Sequence, residues 1–265
     1  MANPTSEAPQ GGEGGHVTVA YFSATGNSLV VARRLAGGGD LVSIPQLMRG
    51  QGQVRLADDV VGLVFPIYMF RLPRIVERFL ERATVEAGYV FMVGTYGWDH
   101  YEAMPIAVDF ATAQGVRVDY ADCLKMVDNY LPEFDMEVEE ARIPGKRIDE
   151  SLARIERKVR RRVRELPAVE ESMRLYPFDP RGYARAHFAA TDACNGCGTC
   201  VRVCPVGNVS LAGGAPRFGD ACEECLACIH NCPRGAIVSD EQVTSARWRN
   251  PEVSLADIVR SNRQD

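Results

Sequence analysis

Eight of the nine cysteines in this 265-residue chain fall in two runs of one spacing, Cys194-x2-Cys197-x2-Cys200-x3-Cys204-Pro205 and Cys222-x2-Cys225-x2-Cys228-x3-Cys232-Pro233. The second run repeats the first position for position. Three thiolates at this spacing can wrap three iron corners of a [4Fe–4S] cluster from one tight loop. The fourth corner needs a ligand from further away, and in the bacterial form of this run it comes from the other run. The predicted ligand sets are therefore Cys194, Cys197, Cys200 and Cys232 for one cluster, and Cys222, Cys225, Cys228 and Cys204 for the other. The prolines stop each loop and remove a backbone donor where the chain turns. Gly196 and Gly198 would let backbone amides approach the cluster sulfurs. Zinc ribbons use two cysteine pairs per ion, which a doubled three-plus-one pattern does not match. Disulfides need an oxidising compartment, for which the chain carries no export signal. The chemistry implied is electron movement.

A second chemical feature follows the first apolar run: Ser23-Ala24-Thr25-Gly26-Asn27-Ser28. Small hydroxylated residues, a glycine and an asparagine between a strand and a helix form an anion nest. Backbone amides and the positive helix end face a phosphate, and the hydroxyls of Ser23, Thr25 and Ser28 donate to its oxygens. A Walker A loop would require a lysine, which is absent. The plain alternative is a helix N-cap rich in Ser and Thr.

The elements that must hold these residues are legible in the apolar pattern. Val17–Phe22, Leu41–Ile44, Val60–Phe65 and Tyr89–Gly94 read as short buried strands, and Val116–Val127 contains a fifth. Between them, residues 29–35, 72–82 and 104–114 have helical spacing, and 148–166 reads as one long helix with the stripe Leu152, Ile155, Val159, Val163 and Leu166. Short apolar strands alternating with helices predict a parallel sheet covered on both faces. Residues 1–15 read as a disordered leader, 16–166 as the α/β domain, 167–190 as a linker and 191–243 as a small cysteine-rich domain. Residues 244–265 form a tail with a docking helix near its end. No apolar run approaches the ~20 residues that span a bilayer. The formal net charge of -5 excludes a generally basic nucleic-acid binder. Ligand-spaced cysteines without an export signal point to the cytoplasm.

Ser23–Ser28 resembles the FMN-phosphate loop of flavodoxins. That resemblance implies an α/β fold with a five-stranded parallel sheet of order 2-1-3-4-5, and FMN at the switch point between strands one and three. It directs attention to Pro66, Ile67 and Tyr68 after strand three, and to Thr95, Tyr96, Gly97 and Trp98 after strand four. Aromatic residues there would stack on the flavin, and backbone groups would meet its polar edge. The whole chain is similar to a family of flavodoxin–ferredoxin fusion proteins common in anaerobes. The likeness rests on FSATGNS (22–28), FPIY (65–68), LPRIVERFLE (72–81), VGTYG (93–97), MVDNYLPEFD (126–135), both cysteine runs and RNPEVSLADIV (249–259). It implies FMN, two [4Fe–4S] clusters and a C-terminal α+β two-cluster ferredoxin domain. The chain departs from that family at Trp98-Asp99-His100-Tyr101, where glycine and small residues are usual.

The expected function is a relay between FMN and two clusters, converting between one- and two-electron partners. The alternative is a flavin-dependent reductase acting on a small molecule, with His100 or Tyr101 as acid. The chain is read as a carrier before an enzyme; as an enzyme it would be an iron–sulfur flavin oxidoreductase. Redox partner proteins are expected, docking on the basic helix Arg154–Arg164, which the acidic stretch Glu133–Glu140 could neutralise. Cys123 reads as a buried, inert thiol. Asn129 and Tyr130 match the family pattern but have no role that spacing reveals.

Overall fold

The computed structural model describes residues 15–168 and 187–263. Nearly all of the expected leader, the middle of the expected linker and the extreme C-terminus lie outside the described residues. In the first part, β1 (Val17–Tyr21), α1 (Asn27–Ala36), β2 (Asp40–Ser43), α2 (Ile44–Leu47), β3 (Val54–Pro66), α3 (Arg74–Leu80), β4 (Ala83–Tyr96), α4 (Ala103–Ala113), β5 (Tyr120–Lys125), α5 (Met136–Ala141) and α6 (Ile148–Arg160) follow in order. The five strands form one parallel sheet, order β2-β1-β3-β4-β5. This is the doubly wound, flavodoxin-like arrangement, whose ligand crevice opens beyond the carboxyl ends of β1 and β3.

Apolar side chains on both strand faces explain the two layers. Val19, Tyr21, Val60, Val64, Phe91 and Val93 pack with α1 and α6 on one side. Ala20, Phe22, Leu63, Phe65, Val90 and Met92 pack with α3 and α4 on the other. β3 and β4 run past their neighbours: Val54–Asp58 pairs with Ala83–Ala87 before the apolar segments begin. That outer ribbon alternates polar and apolar residues because its two faces differ in exposure.

The helix expected over 148–166 ends at Arg160. Arg162 turns into the left-handed region (φ 49°), and residues up to Glu165 run back along the sheet. The Glu165 N–H donates to the Asp119 carbonyl, and the Ala121 N–H donates to the Glu165 carbonyl. Pairing the open edge of β5 thus competes with, and replaces, the last helical turn. Leu166 is exposed rather than part of the apolar stripe.

In the second part, β6 (Phe188–Ala190) pairs antiparallel with β9 (Ile237–Ser239), and β7 (Val209–Ala212) with β8 (Ala215–Phe218). β6 occupies the end of the expected linker. Two short helices, α7 (Thr199–Arg202) and α8 (Ala227–His230), lie at corresponding places inside the two cysteine runs. A third apolar cluster surrounds them and includes Val127, Leu131 and Met136 of the first part. α9 (Leu255–Asn262) is closed by a capping box, Ser254 with Asp257. It lies against the sheet end: the Tyr21 and Ser261 hydroxyls are 2.7 Å apart, and Ser43 donates to the Ser261 carbonyl. Among the described residues no helix is long and apolar enough to cross a membrane.

Candidate functional site

The turn from β1 into α1 has no side-chain cap; Gly26, at φ 106°, is the N-cap residue. The loop's hydroxyls are therefore not engaged in the plain N-cap alternative. Instead Ser23 Oγ accepts from the Gly26 N–H (3.1 Å), Thr25 Oγ1 accepts from Asn129 Nδ2 (2.7 Å), and Ser28 Oγ meets Thr95 Oγ1 (2.8 Å). Ser23 and Thr25 each act as acceptor there and keep a proton to donate. Ser23, Ala24, Thr25 and Ser28 are buried. Among the described residues no group accepts from the N–H of Ala24, Thr25, Asn27 or Ser28. Such unpaired donors at a positive helix end fit an anion.

These residues open onto a cavity of about 640 Å³ at the carboxyl end of the sheet. Twelve of the thirteen residues expected at a flavin line it: Ser23, Ala24, Thr25, Asn27, Ser28, Pro66, Ile67, Tyr68, Thr95, Tyr96, Gly97 and Trp98. Gly26 is the exception. A side chain there would point backwards, its Cβ 2.9 Å from Asn250 Cβ and from Val253 Cβ. Tyr68, Tyr96 and Trp98 supply aromatic surface. Trp98 is 56% exposed, so the bulky segment after β4 does not seal the cavity. Tyr101 leans edge-on against Phe70 at 4.6 Å, and His100 against Tyr96 at 4.6 Å. Neither His100 nor Tyr101 lines the cavity.

Sequence reasoning missed the rest of the lining, which includes residues 69–74 and Glu77 leading into and along α3. The loop after β5 contributes Val127, Asp128, Asn129 and Tyr130. Its position is fixed from below by a buried ion pair, Lys146 Nζ to Glu139 Oε2 at 2.7 Å. Lys146 also donates to the Gly97 carbonyl (3.3 Å), and Glu139 Oε2 accepts from the Asp128 N–H (3.1 Å). Burial acts to raise the Glu139 carboxyl, but the hydrogen bonds from Lys146 and Arg142 outweigh it and hold the group below its ordinary value. Burial pushes the Asp128 carboxyl up to about 6. The acidic stretch thus serves this loop, not the basic helix. On that helix Arg154 pairs with Asp122 and Lys158 with Glu165, while Arg164, beyond its end, pairs with Asp119.

The last wall is Glu223, Glu224, Cys225 and Leu226, from the second cysteine run. α3 pins it there. Arg78 Nη2 binds Glu223 Oε1 at 2.9 Å, Arg74 donates to the Cys222 carbonyl, and the Glu223 carboxylate faces the first amides of α3. Burial raises the Glu223 carboxyl above its ordinary value despite those partners.

Around the cysteines the repeat is visible in the backbone. Asn208 N–H donates to Cys204 Sγ (3.1 Å) and Ala236 N–H to Cys232 Sγ (3.3 Å), the same bond at the same offset from each fourth cysteine. Gly196 and Gly198 are left-handed, and so are Glu224 and Leu226 at the matching places of the second run. Cys194, Cys197, Cys200 and Cys232 line one small cavity together. Burial raises the Cys228 thiol well above the ordinary range, and the nearby sulfurs of Cys222 and Cys204 add to the rise. Cys197, by contrast, is exposed, and the Thr199 hydroxyl lowers it. Thiols in this arrangement, with N–H donors aimed at sulfur, fit iron–sulfur ligation. Cys123 packs against the second-face core, and burial raises its thiol.

The two parts share one hydrogen-bonded chain. Trp248 N–H donates to His230 Nδ1 (3.1 Å), so the ring proton sits on Nε2 and is donated to the Asn129 carbonyl (2.8 Å). Burial lowers His230 to about 4 and keeps it neutral. Asn129 then reaches Thr25, linking α8 to the β1–α1 loop.

Residues 190–210 match the family model described as a 4Fe-4S binding domain. No curated protein matches the chain. Among solved structures, the Megasphaera elsdenii flavodoxin is 20% identical, covering 52% of this chain and 98% of that one, with a TM-score of 0.29. A Streptococcus pneumonia flavodoxin is 18% identical, covering 52% and 98%, TM-score 0.29. Rubredoxin oxygen:oxidoreductase from Desulfovibrio gigas is 18% identical, covering 54% of this chain and 36% of that one, TM-score 0.31. By its own strand order and this family match, the molecule joins a flavodoxin-like sheet to a ferredoxin-type 4Fe-4S segment and has an electron-transfer role.

Proposed function

We propose that the chain is a flavodoxin–ferredoxin fusion protein that relays electrons between an FMN in the sheet-end cavity and two [4Fe–4S] clusters. FMN exchanges electrons singly or in pairs, and each cluster exchanges them one at a time. The observation that carries this reading is the shared wall: Cys225 and its neighbours line the same cavity as Thr25, Tyr68 and Trp98. The loop Ser23–Ser28 would take the phosphate through unpaired amides, and Tyr68, Tyr96 and Trp98 would flank the ring. Cys222, Cys225, Cys228 and Cys204 would hold the inner cluster. Cys194, Cys197, Cys200 and Cys232, with Cys197 exposed, would hold the outer one, within reach of a protein partner. The alternative, reduction of a small molecule at the flavin, has less support because His100 and Tyr101 stand outside the cavity lining.

The test is anaerobic purification of the full chain with assay of flavin, iron and sulfide. One FMN and two [4Fe–4S] clusters per chain are expected. Iron for one cluster only, or FMN absent after reconstitution with excess flavin, would refute the corresponding half of the reading.

A further inference from the structure

Three consecutive carbonyls of the β1–α1 loop turn away from the cavity, and each is met from behind by the C-terminal part of the chain. Asn262 Nδ2 donates to the Ser23 carbonyl (3.0 Å), Asn231 Nδ2 to the Ala24 carbonyl (3.2 Å), and the Asn250 N–H to the Thr25 carbonyl (2.8 Å). All three asparagines are buried. They come from three different places: α8's end inside the second cysteine run, the tail before α9, and the last residue of α9. Asn250 Nδ2 also reaches Asn27 Oδ1 (3.3 Å), and the absent Cβ of Gly26 is what lets Asn250 and Val253 lie so close.

A trans peptide holds its C=O and N–H in opposite directions. Fixing the carbonyls of Ser23 and Ala24 rearward therefore fixes the N–H groups of Ala24 and Thr25 forward. Those are among the amides that no described residue accepts. A carbonyl that accepts a hydrogen bond also polarises its own peptide, making the opposite N–H a better donor. Without these partners the small side chains of the loop would do little to fix its peptide planes, least of all at Gly26.

We propose that Asn231 and Asn262, with the backbone of Asn250, are positioning residues for phosphate recognition: a backrest, supplied by the C-terminal part, that aims the loop's amides at the flavin phosphate. The inference rests on the reading that FMN binds in this cavity. On this view the flavodoxin-like part alone does not contain a complete phosphate site, although every group expected to touch the phosphate lies within it. Asn231, adjacent to Cys232, further ties the aim of the loop to the folding of the second cysteine run.

The test compares two flavins on the flavin-depleted full-length chain, titrated by fluorescence quenching. FMN carries the phosphate and riboflavin does not, whereas both carry the same ring. Asn262→Leu and Asn231→Leu keep the volume and remove the donor. Each is expected to weaken FMN binding about tenfold while riboflavin binding stays within about twofold of the parent. Iron content and cluster EPR are measured in the same samples, and Asn262→Ala, far in sequence from any cysteine, serves if a leucine variant does not fold. Equal losses for both flavins would mean general loosening and would overturn the inference. Unchanged FMN affinity would overturn it too, leaving the flavin reading intact. A parent chain that binds FMN no better than riboflavin would defeat the phosphate-site reading, and the backrest with it.

Discussion

At the scale of single residues, the cysteines and the asparagines behave oppositely. The eight cysteines proposed as ligands announce themselves because cluster ligation would fix their spacing along the chain. Asn129, Asn231, Asn250 and Asn262 do not, because each acts on a loop far from it in sequence. Two predictions belong here. Cys232→Ser should damage the cluster that includes Cys194, Cys197 and Cys200, and Cys204→Ser the other. Low-temperature EPR of each reduced variant checks this, and loss of the cluster within the mutated residue's own run would contradict crossed ligation. Asp128 gives a pH signature. Its carboxyl is raised to about 6 in the fold, so the folded state binds the extra proton between the ordinary value and 6. Stability from this group is full below its unfolded value and is lost as pH rises through 6. Asp128→Asn keeps the acceptor for the Tyr130 N–H and removes the charge. It should raise the melting temperature at pH 8 by about 2–4 °C, with the difference shrinking at pH 5. Scanning calorimetry or circular dichroism across that range decides it.

Elements are legible where their cores are apolar and continuous. All five strands show in the sequence because both sheet faces are covered, and runs such as Val60–Phe65 have no polar interruption. The outer ribbon of β3 and β4 escapes that reading, since Arg55, Asp58 and Glu86 break the run while the backbone pairing continues. Periodicity misplaces the end of α6 for a tertiary reason: the edge of β5 captures residues that have adequate helix propensity. The closeness of β3 and β4 supplies a test. Gly62 pairs with Phe91, and a Cβ at Gly62 would lie 2.2 Å from Phe91 Cζ. Phe91 is fully buried and cannot swing into solvent. Gly62→Ala should therefore destabilise the fold by about 1–3 kcal/mol, seen as a lower denaturation midpoint. An unchanged midpoint would mean the core yields there.

For the whole molecule, the decisive property is that the flavodoxin-like and ferredoxin-type parts are not beads on a string. α3 grips the second cysteine run through Arg74 and Arg78, His230 reaches Asn129, and α9 closes on the end of the sheet. No sequence pattern shows such contacts, because each joins residues from different elements and is specified by shape. If both cofactors bind as proposed, electron exchange between them should be first order within one chain. Stopped-flow reduction of the flavin, followed at cluster wavelengths, should give a rate unchanged when protein concentration is varied tenfold. A rate proportional to concentration would mean that exchange occurs between molecules. The same exchange should be nearly insensitive to salt, since no diffusive encounter is needed.

The two left-handed pairs in the cysteine runs have a consequence of their own. In the first run the positions are Gly196 and Gly198, for which that backbone is easy; in the second they are Glu224 and Leu226, for which it is costly. Only the second pair stands at the cavity. The same backbone turn is thus made by glycines in one run and, in the other, by residues whose side chains stand at the cavity. A molecule whose sequence repeats itself has in this way acquired a front and a back.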